Sequence, residues 1–207
     1  MEILSHRGYW LCPEEQNKEV AFSRSFDLGY GCETDLRDSG GEVVISHDMA
    51  TGGEVTFEEL LQIMDGRNLP IALNIKADGL AVSIGQLLRQ YNHTSYFNFD
   101  MSIPEMVKQT DMQMKVYAPL SDVNKTLFLL ERSSGVWLDS FYSIWYDNSM
   151  IEKLIDENLK VCVVSSELHG RPYEKQWSDL KNNKFFSSRR LLICTDKPEE
   201  AAEYFSK

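Results

Sequence analysis

The feature that most constrains this chain is an alternation of two element types from end to end. Short apolar or β-branched runs fall at 2–8, 30–37, 70–76, 95–100, 114–118, 135–139, 160–165 and 191–195. Amphipathic stretches with helical spacing lie between them at 17–28, 56–64, 80–91, 103–110, 123–132, 148–157 and 172–182, and one more follows at 198–205. Thr56-Phe57-Glu58-Glu59 and Ser121-Asp122 before Val123 read as helix starts, and Pro198-Glu199-Glu200 places proline and acids in a first turn. An extra short strand, Glu42 to Ser46, follows the turn Asp38-Ser39-Gly40-Gly41. Eight strand–helix units predict parallel strands joined by helical crossovers. Such units close into a (β/α)8 barrel or lie in an open doubly wound sheet. The first strand runs into His6-Arg7-Gly8-Tyr9-Trp10, which is no glycine-rich phosphate loop, and this favours the barrel. Barrels of this kind need roughly 200 residues at the least, so residues 1–207 make a minimal, single α/β domain with almost no insertions.

Composition narrows the partners. Asp and Glu number 32 against 21 Lys and Arg, a formal charge of −11, and that field repels nucleic-acid backbones and anionic membranes. No apolar run approaches the ~20 residues of a membrane span. Met1 to Arg7 lacks the basic-then-apolar order of an export signal. Cys12, Cys32, Cys162 and Cys194 form no CxxC pair, and three of the four sit in apolar runs, as reduced buried thiols do. The expectation is a soluble, cytoplasmic protein with neither a nucleic-acid partner nor stable membrane association.

In an α/β barrel the functional groups collect where strands end. The first run ends in His6 and Arg7; the second carries Glu33, Asp35 and Arg37. The hairpin-like segment ends in Ser46-His47-Asp48, the third run in Asn74 and Lys76, the fourth in Asp100, the sixth in Asp139, and the seventh runs into Glu167 and His169. Alternate residues of a strand share a face, so Glu33, Asp35 and Arg37 point one way while Cys32, Thr34 and Leu36 point toward the helices. Two carboxylates side by side inside a barrel cost several kcal/mol per unpaired charge. Either a divalent cation bound by both, or ion pairs with Arg7, Arg37 or Lys76, removes that cost.

Of the four histidines, His93 lies in the polar stretch Tyr91-Asn92-His93-Thr94 and reads as solvated or capping. His6 and His47 each end a strand-like run and flank the acidic strand in sequence order. Two imidazoles suit a general base and a general acid, since an unperturbed pKa of ~6.5 allows both forms near neutrality. Arginine and lysine nearby supply what a phosphate oxyanion needs. Metal ligands, paired histidines and fixed cations together point to phosphodiester cleavage.

Ser5-His6-Arg7-Gly8, Asn17, Ala21-Phe22, Gly29, Glu33-Thr34-Asp35-Leu36-Arg37-Asp38-Ser39 and Ser46-His47-Asp48 resemble the glycerophosphodiester phosphodiesterase family, phospholipase C-like phosphodiesterases built on TIM barrels. Glu58-Glu59-Leu60, Asp100 and Thr195-Asp196-Lys197-Pro198 are compatible with it. The resemblance implies His6 and His47 as catalytic acid and base and Arg7 as a phosphate contact. It implies Glu33 and Asp35 as ligands of a divalent cation, Mg²⁺ or Ca²⁺, and keeps its strand lysine as Lys76; with Arg37, whose charge falls at the same mouth, Lys76 is expected to contact a small phosphodiester substrate. The family's third strand carries Glu-x-Lys; here the triplet is Asn74-Ile75-Lys76, so an amide stands where a carboxylate completes the metal shell. Asn74 can still ligate through its oxygen. Glu167, in the polar cluster Ser165 to Arg171, is the alternative fourth ligand, or else a capping residue in a solvated loop. Only Met49 to Val55 separate Asp48 from the next helix, where relatives insert a substrate-covering subdomain.

The sequence therefore predicts metal-dependent hydrolysis of a glycerophosphodiester-like or sugar-linked small molecule. Two other readings stand beside it: a phospholipase of the same superfamily, and a non-catalytic barrel that binds a phosphorylated metabolite. Phe141 to Tyr146 is aromatic enough to wall a ligand site or to pack on neighbouring helices.

Overall fold

A computed structural model, in which residues 1–206 are described, turns each of the eight apolar runs into a parallel strand. In chain order the elements are β1 (Glu2–His6), α1 (Glu19–Asp27), β2 (Gly31–Ser39), β3 (Glu42–Ile45), α2 (Phe57–Met64) and β4 (Ile71–Ile75). There follow α3 (Ala81–Gln90), β5 (Tyr96–Phe99), α4 (Ile103–Asp111), β6 (Tyr117–Leu120), β7 (Gly135–Leu138) and α5 (Asn148–Asp156). The chain ends with β8 (Lys160–Val164), α6 (Glu174–Lys181), β9 (Leu191–Thr195) and α7 (Pro198–Ser206). The strand order is β5-β4-β2-β1-β9-β8-β7-β6, all parallel, with β3 antiparallel on the outer end of β2. A single parallel bridge, Asn98 to Val116, joins β5 to the residue before β6 and nearly closes the ring. The architecture is a TIM barrel, as the alternation predicts.

Strand alternation divides the core. Leu4, Ala72, Phe97, Phe99, Tyr117, Trp137, Cys162, Val164, Leu192 and Cys194 fill the barrel interior. Cys32, Leu36, Ile71, Leu73 and Ile75 face outward onto α1, α2 and α3, and Val136, Leu138, Val161, Val163, Leu191 and Ile193 face α5, α6 and α7. Where β5 and β6 share only one bridge, aromatic rings span the seam from within. Phe97 stacks on Tyr117 at 3.7 Å between centroids, and Phe99 stacks on Trp137 at 3.9 Å. Each such buried ring contributes about 1.5–3 kcal/mol from area alone, so side-chain packing does there what ladder hydrogen bonds do elsewhere.

Helix starts follow the sequence with one exception. Thr56 and Glu59 form a reciprocal capping box at α2, and Ser102 and Asp147 cap α4 and α5. The helix predicted over 123–132 does not form; only a short 3-10 turn, Leu130–Arg132, occurs there. Ser121 closes a tight turn with Asn124, and the Asp122 carboxylate accepts from the backbone N–H groups of Phe141, Tyr142 and Ser143 instead of capping its own segment. Leu127, Leu129 and Leu130 still cover Met106, Val116 and Ala118, so the apolar residues bury without helical order. His93 is also not solvated: it is buried, with Nε2 hydrogen-bonded to the Ser95 carbonyl at 3.1 Å. No described helix is long and apolar enough to cross a membrane.

Candidate active site

The C-terminal mouth of the barrel holds a cavity of about 240 Å³. His6, Arg7, Glu33, Asp35, His47, Asn74 and Lys76 all line it, together with Phe99, Asp100, Trp137, Asp139, Phe141 and His169. Register explains the first group. His6 on β1 pairs with Glu33 on β2, and Asp35, two residues further along β2, pairs with Asn74 on β4, so inward side chains from three neighbouring strands arrive in two successive layers at the mouth.

The turn after β1 is tightly constrained. Arg7 adopts a left-handed backbone with φ 57°, its N–H donating to the Glu33 carbonyl at 2.9 Å and its carbonyl accepting from Asn17 N–H at 2.9 Å. Gly8 follows at φ 82°, and a Cβ there would lie 2.7 Å from the Ala21 Cβ and 2.9 Å from its backbone carbon. Only glycine fits between the turn and α1. This conformation aims the Arg7 side chain at Asp35, with Nε 3.4 Å from Oδ2. Lys76 Nζ lies 3.4 Å from the other Asp35 oxygen, and Asn17 Nδ2 donates to Asp35 at 3.0 Å. Thr34, on the opposite face of β2, donates to Asn17 Oδ1 at 2.9 Å and fixes that amide. Asp35 is thus buried and surrounded by donors.

Glu33 is buried with less compensation. Its Oε2 has no hydrogen-bond partner and sits 3.9 Å from His6 Nε2. Burial, reinforced by the Asp35 charge, pushes the Glu33 carboxyl up to about 7, against the opposing pull of His6, Arg7 and Lys76. His6 presents its other nitrogen, Nδ1, to Asp196 Oδ1 at 2.8 Å. Burial alone would lower its pKa; the Asp196 hydrogen bond and the Glu33 and Asp196 charges outweigh it, and the imidazole is raised. A carboxylate that orients one ring nitrogen leaves the other for proton transfer. His47 lines the same cavity from the β3 side, about half exposed, with Nδ1 3.0 Å from the surface carboxylate of Asp48.

The remaining sequence candidates fall elsewhere. Arg37 does not line the cavity; it donates to the His47 carbonyl at 3.2 Å and braces that loop. Glu167 is not brought to the mouth either. It accepts from the Ser165 and Thr195 hydroxyls and, at 3.3 Å, from Asp196 N–H. There it braces the backbone that carries Asp196, next to Leu168 and His169, which line the cavity. Asp196, which the sequence offers only within the compatible string Thr195-Asp196-Lys197-Pro198, stands directly after β9 and holds His6 across 190 positions, a pairing that the strand-end residues alone do not show.

Among the described residues no cluster of three or more His, Cys, Asp or Glu has ligating geometry. The donor chemistry nevertheless suits a hard cation. Glu33 Oε2 and Asn74 Oδ1 are buried oxygens without partners in one cavity, with Asp35 between them on adjacent strands. Buried orphan acceptors are costly and are normally satisfied by a donor, water or ion.

A second histidine–carboxylate pair lies across the mouth. His169 Nε2 is 2.7 Å from Asp139 Oδ1, and the Phe141 ring lies 4.9 Å from the imidazole.

Together the fold and site define a TIM barrel with an acidic, histidine-bearing mouth that carries two cations, Arg7 and Lys76, on its β1–β4 side. Protein-family models give no match to the chain, and neither do the curated proteins. Solved structures do. A glycerophosphodiester phosphodiesterase from Agrobacterium tumefaciens superposes with a TM-score of 0.71 over 100% of both chains at 16% identity. A phosphodiesterase from Oleispira antarctica, solved with the product sn-glycerol-3-phosphate, gives 0.72 over 100% of this chain and 97% of that one at 14% identity. A glycerophosphoryl diester phosphodiesterase from Parabacteroides distasonis gives 0.69 over 99% and 86% at 14% identity. At such identities the likeness establishes a shared fold.

Proposed function

We propose that the mouth hydrolyses a small phosphodiester of the glycerophosphodiester type. The observation that carries this reading is the convergence of a carboxylate-oriented imidazole, His6 on Asp196, with Arg7 and Lys76 around the Glu33–Asp35 pair in one cavity. Its direction agrees with the motif resemblance and with the activities named for the structures this chain superposes on.

In this reading Arg7 and Lys76 turn from Asp35 toward the non-bridging oxygens of the entering phosphate and hold it against the barrel's negative field. His6 and His47 are the acid/base pair. One imidazole takes the proton from the attacking hydroxyl, the other delivers a proton to the departing oxygen, and the P–O bond to that alcohol breaks. Asp196 keeps His6 Nδ1 engaged, so proton exchange occurs at Nε2. Glu33, Asp35 and Asn74 would hold a divalent cation, Mg²⁺ or Ca²⁺, through oxygen. Bound there, such a cation supplies charge neutralisation at the phosphoryl oxygens. Arg37 supports the site by bracing the His47 loop.

Glycerophosphoethanolamine and bis(p-nitrophenyl) phosphate, each with added Mg²⁺ or Ca²⁺ and with chelator, test the proposal. Turnover by the wild type and its loss in His6→Ala are expected. Equal rates for the two proteins on both diesters would remove the assignment.

A further inference from the structure

The opposite end of the barrel, where the strands begin, carries charged groups that the chemistry at the mouth does not use. Tyr117, Cys162, Leu192 and Leu4 point into the barrel interior. By alternation Lys115, Lys160, Arg190 and Glu2, which lead into them on β6, β8, β9 and β1, turn toward the axis as well. The four line one cavity of about 290 Å³ with Phe97, Tyr117 and Leu192 as its apolar floor. Three cations thus face one carboxylate in a chain whose formal charge is −11. Lys115 Nζ donates to the Thr94 carbonyl and Arg190 Nη1 to the Ile155 carbonyl at 3.3 Å, and among the described residues none of the three cations pairs with a carboxylate. They also repel one another: burial, then the Lys160 charge, holds the Lys115 ammonium below its ordinary pKa. Tyr117 adds a neutral donor. Its ring stacks on Phe97 and occupies the room left by Gly135, where a Cβ would lie 2.6 Å from it. Tyr117 is only 3% exposed, and its hydroxyl, unpartnered among the described residues, is left to the cavity. Burial keeps that phenol protonated, well above its ordinary pKa, so it donates.

We infer that this end of the barrel is a second ligand site, which binds a compact phosphate dianion, free or as a phosphomonoester, apart from the mouth. Three cations and a phenol are donors without acceptors to match, and a tetrahedral phosphate presents several acceptor oxygens at once. Its double charge relieves the repulsion among Lys115, Lys160 and Arg190, which a monocarboxylate relieves only in part. Glu2 opposes any anion, and so sets the balance against singly charged ones. The N-terminal face of such barrels ordinarily serves stability. Unpaired like charges work against that role, and a bound dianion reverses their effect. The inference is independent of hydrolysis at the mouth.

Calorimetric titration at alkaline pH with inorganic phosphate and with ethyl phosphate tests the site; saturation by either supports it, and the tighter of the two names the source. Arg7 and Lys76 at the mouth also attract phosphate, so the variants separate the two ends. Binding at the N-terminal end is expected to survive Lys76→Gln and to weaken about tenfold in Lys160→Gln and in Arg190→Gln, both at exposed positions where folding is retained. Tyr117→Phe keeps the stack on Phe97 and should weaken it about threefold. Glu2→Gln, which removes the opposing charge, should tighten it about threefold. Saturating phosphate should raise the Tm of Lys76→Gln and leave that of the double variant Lys160→Gln/Arg190→Gln unchanged. Binding that Lys76→Gln abolishes and that Lys160→Gln and Arg190→Gln leave intact belongs to the mouth alone and overturns the site. So does a titration that shows no saturation below about 10 mM, or equal displacement by acetate at matched ionic strength, which is general screening.

Discussion

The two sides of the barrel mouth both present a histidine held by a carboxylate, but they are assembled by opposite means. On the β1–β2–β4 side, His6, Glu33, Asp35 and Asn74 are strand residues, and ladder register brings them into two adjoining layers of the mouth. On the β7–β8 side, His169 ends a short 3-10 turn, Ser166–His169, and Phe141 lies in a loop that Asp122 and Arg171 hold from other segments. The strand-borne side concentrates interlocked charge, with Asp35 contacted by Arg7, Lys76 and Asn17. The loop-borne side offers unpaired hydrogen-bonding atoms and aromatic surface. Rigid register suits groups that must meet a reacting phosphorus within tenths of an ångström; loops suit the variable part of a substrate.

The sharpest way to break this division is at the two histidines. His6→Ala is expected to lower kcat on every diester by about 10²–10⁴-fold, the usual scale for a general acid or base. His169→Gln should change kcat little. If His169→Gln matches His6→Ala on both diesters, the two sides are not functionally distinct. Asp196→Asn comes next, with an expected loss of about 10–100-fold, because the ring keeps its place but loses the carboxylate that orients Nδ1. Removal of that charge and hydrogen bond also lets burial dominate, so the imidazole should titrate at lower pH than in wild type, as followed by its ring-proton NMR signals.

The same contrast separates the residues whose place is legible in the amino-acid sequence from those whose place is not. Strand-end residues are legible because period-two alternation fixes their face: His6, Glu33, Asp35, Asn74 and Lys76 all reach the cavity, whereas Arg7 next to His6 is turned into it by its left-handed backbone. Asp196 pairs with His6 through closure of β9 against β1, a contact no local pattern encodes. Ser121-Asp122 has the chemistry of a helix cap, and nothing in the local sequence shows that Asp122 instead binds a loop 20 residues on. Glu167 and Arg37 have the right charge and the right strand end, yet nearby Thr195 and the His47 carbonyl engage them first. Local competition for hydrogen bonds, which spacing does not report, decides between a ligand and a brace.

Asn74 gives a prediction on the strand-borne side alone. Asn74→Asp adds a third charge to the buried oxygen set, so Mg²⁺ or Ca²⁺ should bind about tenfold more tightly by calorimetric titration. Without metal the same change should lower Tm, because Glu33 is already held up at about 7 by burial and by Asp35. Unchanged affinity and unchanged metal-free Tm would mean that Asn74 does not face the ion.

The smallest effect lies at Asp100, between the two sides. This residue sits at φ 57°, a backbone that Asn adopts as readily as Asp. Asp100 is exposed, yet the protein walls of the concave mouth displace enough water to push its carboxyl up to about 6; Lys76 opposes this, while Asp139 and Asp35 add to it. A carboxyl with a raised folded-state pKa costs nothing below about pH 4, where folded and unfolded chains are both protonated. As pH rises from there to about 6, the unfolded chain ionises first and the folded one must follow at a cost, so stability is lost across that window. Asp100→Asn removes the cost. In metal-free protein its Tm should equal wild type near pH 4 and exceed it by about 1–2 °C at pH 8, a small margin because solvent still reaches the carboxylate. A gain of the same size at both pH values would assign it to backbone preference, and a loss at pH 8 would mean that Lys76 stabilises the ionised form of Asp100 by more than burial costs it.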